Sequence, residues 1–150
     1  MFSTALLPVR ALLVLLLLTA ACRDSTSPEE SFNAARAKWT RVGPVSYAMT
    51  IHFSCSECGI DNRLTGPVII AVRNGRIESK TYAGSQLAVV SPYYAGFPSI
   101  EELFTVIDMS IRRDSPHIVE YDPAMGYPLR VETETGGADW IYTVTNFEAK

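Results

Sequence analysis

Chemistry-bearing residues are scarce in this chain. Its 150 residues hold three cysteines and two histidines, and no Ser-His-Asp order, glycine-rich phosphate loop or zinc-protease helix motif occurs. Enzymatic function therefore has little to stand on, and no cofactor is implied. Charge is sparse as well: 13 Lys and Arg against 16 Asp and Glu leave a net −3, with the cations scattered. Nucleic acid rewards a basic stripe, so it is not an expected partner. No solenoid-type repeat is present. The longest apolar run, Ala11 to Leu18, falls well short of the roughly 20 residues of a membrane-spanning helix.

That run has a different use. It follows Arg10 and leads into Thr19-Ala20-Ala21-Cys22, and small residues before a cysteine are what a lipoprotein signal peptidase accepts. Residues 1–21 are expected to be a lipoprotein signal peptide and Cys22 the lipid-carrying first residue of the mature chain. The usual lipobox has Leu three residues before the cysteine, whereas Thr19 stands there and Leu18 one place earlier. Residue 23 is Arg rather than the Asp that commonly retains lipoproteins in an inner membrane. If the host has two membranes, the outer one is the expected address. Residues 22–30 read as the lipidated cysteine and a flexible tether, because Arg23 to Pro28 is polar and short-chained. Residues 31–150 read as one α+β domain, with chain enough for a core.

Within the domain, Ser27-Pro28-Glu29-Glu30 has the form of a capping box with proline at the first helical position, and Phe32, Ala35 and Trp39 recur at helical spacing until Gly43-Pro44. From Val45 to Cys55 apolar and polar residues alternate, as in a strand with one wet face. Val68–Arg73 and Arg76–Tyr82 flank Asn74-Gly75, the pair best suited to a two-residue hairpin turn, which sets Val72 opposite Ile77 and Arg73 opposite Arg76. Gly84 to Pro98 is a long loop rich in aromatic residues. Ser99-Ile100-Glu101-Glu102 repeats the capping box ahead of an apolar stripe through Ile111. Strands are expected at His117–Asp122, Leu129–Thr135 and Trp140–Phe147. The order α-β-β-β-α-β-β-β predicts an antiparallel sheet of about six strands with two helices packed on one face.

Taken together, Trp39, Tyr47, the Cys55 and Cys58 pair, Asn74-Gly75, Ser99 to Phe104, and Glu120-Tyr121-Asp122-Pro123 leading to Gly126-Tyr127-Pro128 resemble a bacterial family, domain of unknown function 6174. The resemblance covers Ser31 to Phe147 and implies an exported α+β domain, often in a lipoprotein. It brings no catalytic residues. Many relatives separate the two cysteines by one residue, whereas this chain has Ser56-Glu57 between them.

Cys55 and Cys58 suit three chemistries. In an oxidising compartment, with Cys22 taken by lipid, they can pair as a structural disulfide, provided that the strand turns there, since residues three apart in a straight strand are about 10 Å apart. They can also form a redox dithiol, although the Gly59 to Gly66 segment that follows lacks the helical stripe that activates such a pair. Metal binding by His52, Cys55 and Cys58 with a distant His117 is the third, set back because His52 falls on the face opposite Cys55. The structural disulfide is the expected state, no metal is expected, and both histidines read as surface residues. Glu120, Asp122, Glu132, Glu134 and Asp139 read as a solvated acidic face rather than an acid and base pair or a calcium loop. Tyr93, Tyr94, Phe97, Tyr121 and Tyr127 offer the most credible binding surface, because aromatic residues in loops make rigid amphipathic contacts. The expected function is a membrane-anchored lipoprotein that serves as a non-enzymatic binding or accessory module for an envelope protein or small ligand. The alternative is a thiol-disulfide redox protein using Cys55 and Cys58.

Overall fold

A computed structural model describes residues 26–56, 66–90, 96–115 and 117–150. Helix α1 spans Pro28–Val42. The Ser27 hydroxyl accepts the Glu30 amide at 3.1 Å and the Glu30 carboxylate accepts the Ser27 amide at 2.9 Å, a reciprocal pair that satisfies two otherwise orphaned donors. The stretch expected to be flexible through residue 30 is thus helical from Pro28 onward. Phe32, Ala35 and Trp39 form the buried stripe, as their spacing requires. Gly43 ends the helix by donating its amide to the Trp39 carbonyl. A side chain there would meet that carbonyl oxygen at 2.5 Å, so the close approach needs glycine.

The strands are β1 (Tyr47–Cys55), β2 (Val68–Arg73), β3 (Arg76–Tyr82), β4 (His117–Tyr121), β5 (Pro128–Thr135) and β6 (Ala138–Ala149), with helix α2 (Ile100–Arg112) between β3 and β4. All pairings are antiparallel, and the sheet runs β3-β2-β1-β6-β5-β4. Two three-stranded meanders are therefore joined through β1 and β6, the first and last strands of the chain. The β2–β3 hairpin has the expected register at Val72 and Ile77 and at Arg73 and Arg76, with Asn74 and Gly75 both at positive φ. Val45, expected to face inward, is 70% exposed, because β1 begins two residues later, at Tyr47.

Both helices pack on one face of the sheet. Tyr47, Met49, Ile51 and Phe53 from β1 meet Val68, Ile70, Val131, Tyr142 and Val144 from its neighbours and Ile100, Leu103, Phe104 and Ile107 from α2. At one end an aromatic cluster binds α1 to the sheet: Phe147 stacks on Tyr47 at 5.3 Å and on Tyr127 at 4.5 Å, and Trp39 meets all three edge-on. Two members of the expected binding surface therefore belong to the core. Tyr127 sits in this cluster, and Phe97 is fully buried, edge-on to Tyr82 at 6.3 Å. Sequestering rings of that size from water outweighs holding them in a loop for a partner.

Candidate functional site

The face of the sheet opposite the helices carries the surface most open to a partner. Register aligns its residues in rows: His52, Thr143, Arg130 and Glu120 across four strands, then Ser54, Ile141, Glu132 and Ile118 in the next row. Toward the other edge, Thr145, Thr50, Ile69 and Thr81 form one row, and Ala48, Ala71 and Ser79 another. Small and β-branched side chains make a low surface of mixed polarity. Where Ala48 and Ala71 meet the chain's last residue, a groove of about 520 Å³ opens, flanked by Arg73, Glu78 and Lys150. Its rim is charged but internally compensated, with Arg73 3.2 Å from Glu78 and Lys150 2.7 Å from Glu148. Such exposed pairs add little to stability.

The acidic residues of the last three strands do not converge. Asp122 caps the turn after β4, its Oδ1 accepting the amides of Ala124 at 3.0 Å and Met125 at 2.6 Å. Glu132 pairs with Arg130 at 2.8 Å. Glu134 and Asp139 oppose each other on exposed positions at the end of the sheet. His52 faces solvent on the open face. His117, read from the sequence as a surface residue, instead turns inward at the first position of β4, half-buried opposite Thr133, because that register position belongs to the core face. Its Nδ1 lies 2.8 Å from the Ser115 carbonyl, which can only accept, so Nδ1 carries the proton and Nε2 is buried with no partner among the described residues. Among those residues no three His, Cys, Asp or Glu side chains come together as a metal ion requires.

Cys55 is the last residue of β1, half-buried against the core and paired with Trp140. The strand end is clamped by Ser56, whose amide donates to the Asp139 carbonyl at 3.1 Å and whose hydroxyl accepts the Asp139 amide at 3.1 Å. Cys22 and Cys58 lie outside the described residues, as do Tyr93 and Tyr94. Tyr121 is half-buried, its ring stacked on Phe104 at 6.5 Å, and burial pushes its hydroxyl up to about 12. What remains exposed near the aromatic loop is aliphatic: Leu87 at 67% and Val90 at 59%, on a strap that pairs with the β3 edge through Tyr82 and Lys80.

Sequence reasoning missed a polar network at the start of α2. The Glu101 carboxylate accepts the Tyr47 hydroxyl at 2.7 Å and the Trp39 indole at 3.2 Å. Burial first, and the Glu101 charge second, hold the Tyr47 phenol well above the ordinary range. Lys80 is buried nearby, 3.9 Å from Glu102, and desolvation lowers its pKa against the pull of that carboxylate. The only sequence signal is Trp39, Tyr47 and Glu101 as partners that each need a donor or acceptor once buried.

A family described as a family of unknown function, DUF6174, matches residues 31–149. No curated protein and no solved structure matches the chain.

Proposed function

Since the chain belongs to the DUF6174 family, whose function is unknown, we propose from its own residues that it is a lipid-anchored protein of the cell envelope whose domain is a non-enzymatic binding or accessory module. The observation that carries this reading is the six-stranded sheet with helices on one face only, which leaves a broad face of mixed polarity and an open groove. Proteins dock on such a surface through area and shape rather than through a reacting group. Tyr93 and Tyr94, the aromatic pair expected from the sequence to make contacts, follow the exposed Leu87 and Val90 in the chain. Tyr121, stacked on the core, offers only its rim. The scattered polar groups support the non-enzymatic part, since acid, base and nucleophile must meet to act. The anchor reading rests on Cys22 behind the apolar leader, and no helix among the described residues is long and apolar enough to cross a membrane.

On this reading Cys55 and Cys58 form a structural disulfide. What supports it is that Cys55 lies half-buried at a strand end rather than at a helix N-terminus, where an exchanging thiolate is stabilised. The test is the intact mass of the mature protein taken from membranes, before and after reduction and thiol alkylation. We expect an acylated Cys22 and no alkylation of Cys55 or Cys58 until reduction. An unmodified Cys22 removes the anchor. Thiols that alkylate freely in the folded protein turn the reading to the redox alternative. The binding face is tested by a photocrosslinker placed in cells at Ala71 or Tyr93, with Arg41 on α1 as control. Adducts at 71 and 93 but not at 41 are expected, and equal labelling at all three refutes the face.

A further inference from the structure

We propose that the domain rests on the lipid surface by its β4 edge, the sheet standing up from the membrane with β3 outermost; this builds on the reading of Cys22 as the lipid-bearing residue. The described chain begins at Thr26, which lines a small cavity with Pro28, Ile107, His117, Val119 and Tyr121 and so emerges over β4. Cys22 is four residues upstream. Covalent geometry limits that stretch to about 14 Å whatever path it takes. The lipid therefore holds the membrane within one short reach of β4.

The sheet order turns this reach into an orientation. β4 and β3 are the two outer strands, five strand spacings apart, which is about 24 Å. Both edges cannot meet the membrane while the sheet stands, and the tether selects β4. The chemistry of that edge agrees. Ile118 is 58% exposed on β4, flanked by Glu120 and by the Arg130–Glu132 pair. An apolar side chain framed by charges suits the headgroup level rather than the hydrocarbon. The other way to keep Thr26 low is to lie on the helical layer. That layer presents Glu29, Glu30, Arg36 and Arg41 on α1 and Glu101 and Arg112 on α2, with Val42 and Met109 as its exposed large apolar residues among those described, so it gives a bilayer little to hold. Standing on β4, the protein directs its far edge, with Leu87 and Val90, and the Ala48–Ala71 groove away from the lipid and toward whatever approaches.

The orientation is measured on the full chain, exported, extracted from membranes and reconstituted in phosphatidylethanolamine and phosphatidylglycerol vesicles that carry a headgroup-linked acceptor dye. A donor is attached through a bioorthogonal residue at position 118, 41 or 87 in three separate proteins, with position 120 as a second low site. Mass spectrometry reads acylation in each. We expect energy transfer to fall in the order 118, 41, 87, several-fold from first to last. Position 41 is the discriminating one, because α1 runs from Pro28 over β4 to Trp39 against Tyr47 of β1, three strand spacings or about 14 Å farther from that edge. Transfer at 41 equal to or above that at 118 means that the domain lies on its helices, and equal transfer at all three means that it tumbles; either overturns the proposal while leaving the anchor intact. A protein unmodified at Cys22 overturns the anchor reading and this proposal together.

Discussion

The Tyr47 hydroxyl donates to the Glu101 carboxylate at 2.7 Å and accepts the Ile100 amide at 3.1 Å, so one phenol ties β1 to the first turn of α2. Replacing Tyr47 by Phe keeps the ring and its stacking on Phe147 but strips both partners. The Ile100 amide is buried and finds no substitute. We expect a loss of about 1–3 kcal/mol in urea unfolding with an unchanged denaturant slope. A loss within error would mean that water reaches both groups.

The same phenol, with Tyr121 and Tyr142, sets the alkaline limit of the fold. Burial pushes Tyr121 and Tyr142 up to about 12 and Tyr47 higher still. Folded pKa values above the unfolded value favour the protonated native state, so their contribution is complete below about pH 10. It is lost as pH rises from there through 12. The tyrosinate absorbance of these three should therefore appear together with unfolding rather than before it. Ionisation of all seven tyrosines in a protein that is still folded would contradict the burial described here.

Lys80 runs the opposite way. Its pKa is lowered by desolvation, so at neutral pH its charge opposes folding. That penalty fades as pH rises through the lowered folded pKa toward the ordinary lysine value. Lys80→Met should stabilise the domain at neutral pH by about 1 kcal/mol, the low end for replacing a buried charge with an apolar side chain. The gain should shrink in buffers near pH 10. Glu102 keeps its capping bond to the Ser99 amide at 2.8 Å, so the helix start is spared. A difference between the two proteins that stayed constant up to pH 10 would mean that the buried charge is not what opposes folding.

The helices, the hairpin and the meander order could be read from the chain because each rests on local chemistry: a capping box, a turn pair, a period. Strand order could not, since the β1–β6 pairing that joins the meanders links Thr50 to Thr145 at opposite ends of the chain. Lys80 was hidden for another reason. Strict alternation along β3 puts it opposite Ile77, but a bulge between the partners of Ala71 and Val72 resets the pattern and turns Lys80 inward beside Tyr82. The aromatic surface was misjudged at Phe97 and Tyr127 because loop residues carry no period by which to tell an inward ring from an outward one. His117 was misread because facing a solvent-poor register position is decided by its partner Thr133, not by its own neighbours.

Phe97 now makes a sharp test of core against surface. It is fully buried in the core cluster, so Phe97→Ala should cost about 3–5 kcal/mol. Tyr121→Ala, at a half-buried edge position, should cost less. If Phe97→Ala instead left stability unchanged and weakened crosslinking to a partner, the ring would be a binding residue after all.

Gly126 and Gly137 separate close approach from backbone strain. Both have positive φ, +83° and +84°, so alanine at either position is strained by about 1 kcal/mol. At Gly137 nothing lies within 4 Å of the added carbon, whereas at Gly126 it meets the Ala35 carbonyl oxygen at 2.5 Å and Lys38 at 3.0 Å. That contact is where the turn after β4 presses on α1, and Lys38 adds a hydrogen bond to the Pro123 carbonyl at 2.8 Å. Gly126→Ala must push helix and turn apart, disturbing the seat of Tyr127 on Phe147. We expect it to cost at least about 2 kcal/mol more than Gly137→Ala, in the range typical of overpacked sites, with the difference visible in parallel thermal melts. Equal costs would mean that α1 yields without loss, and the α1 docking described here would be looser than its contacts imply.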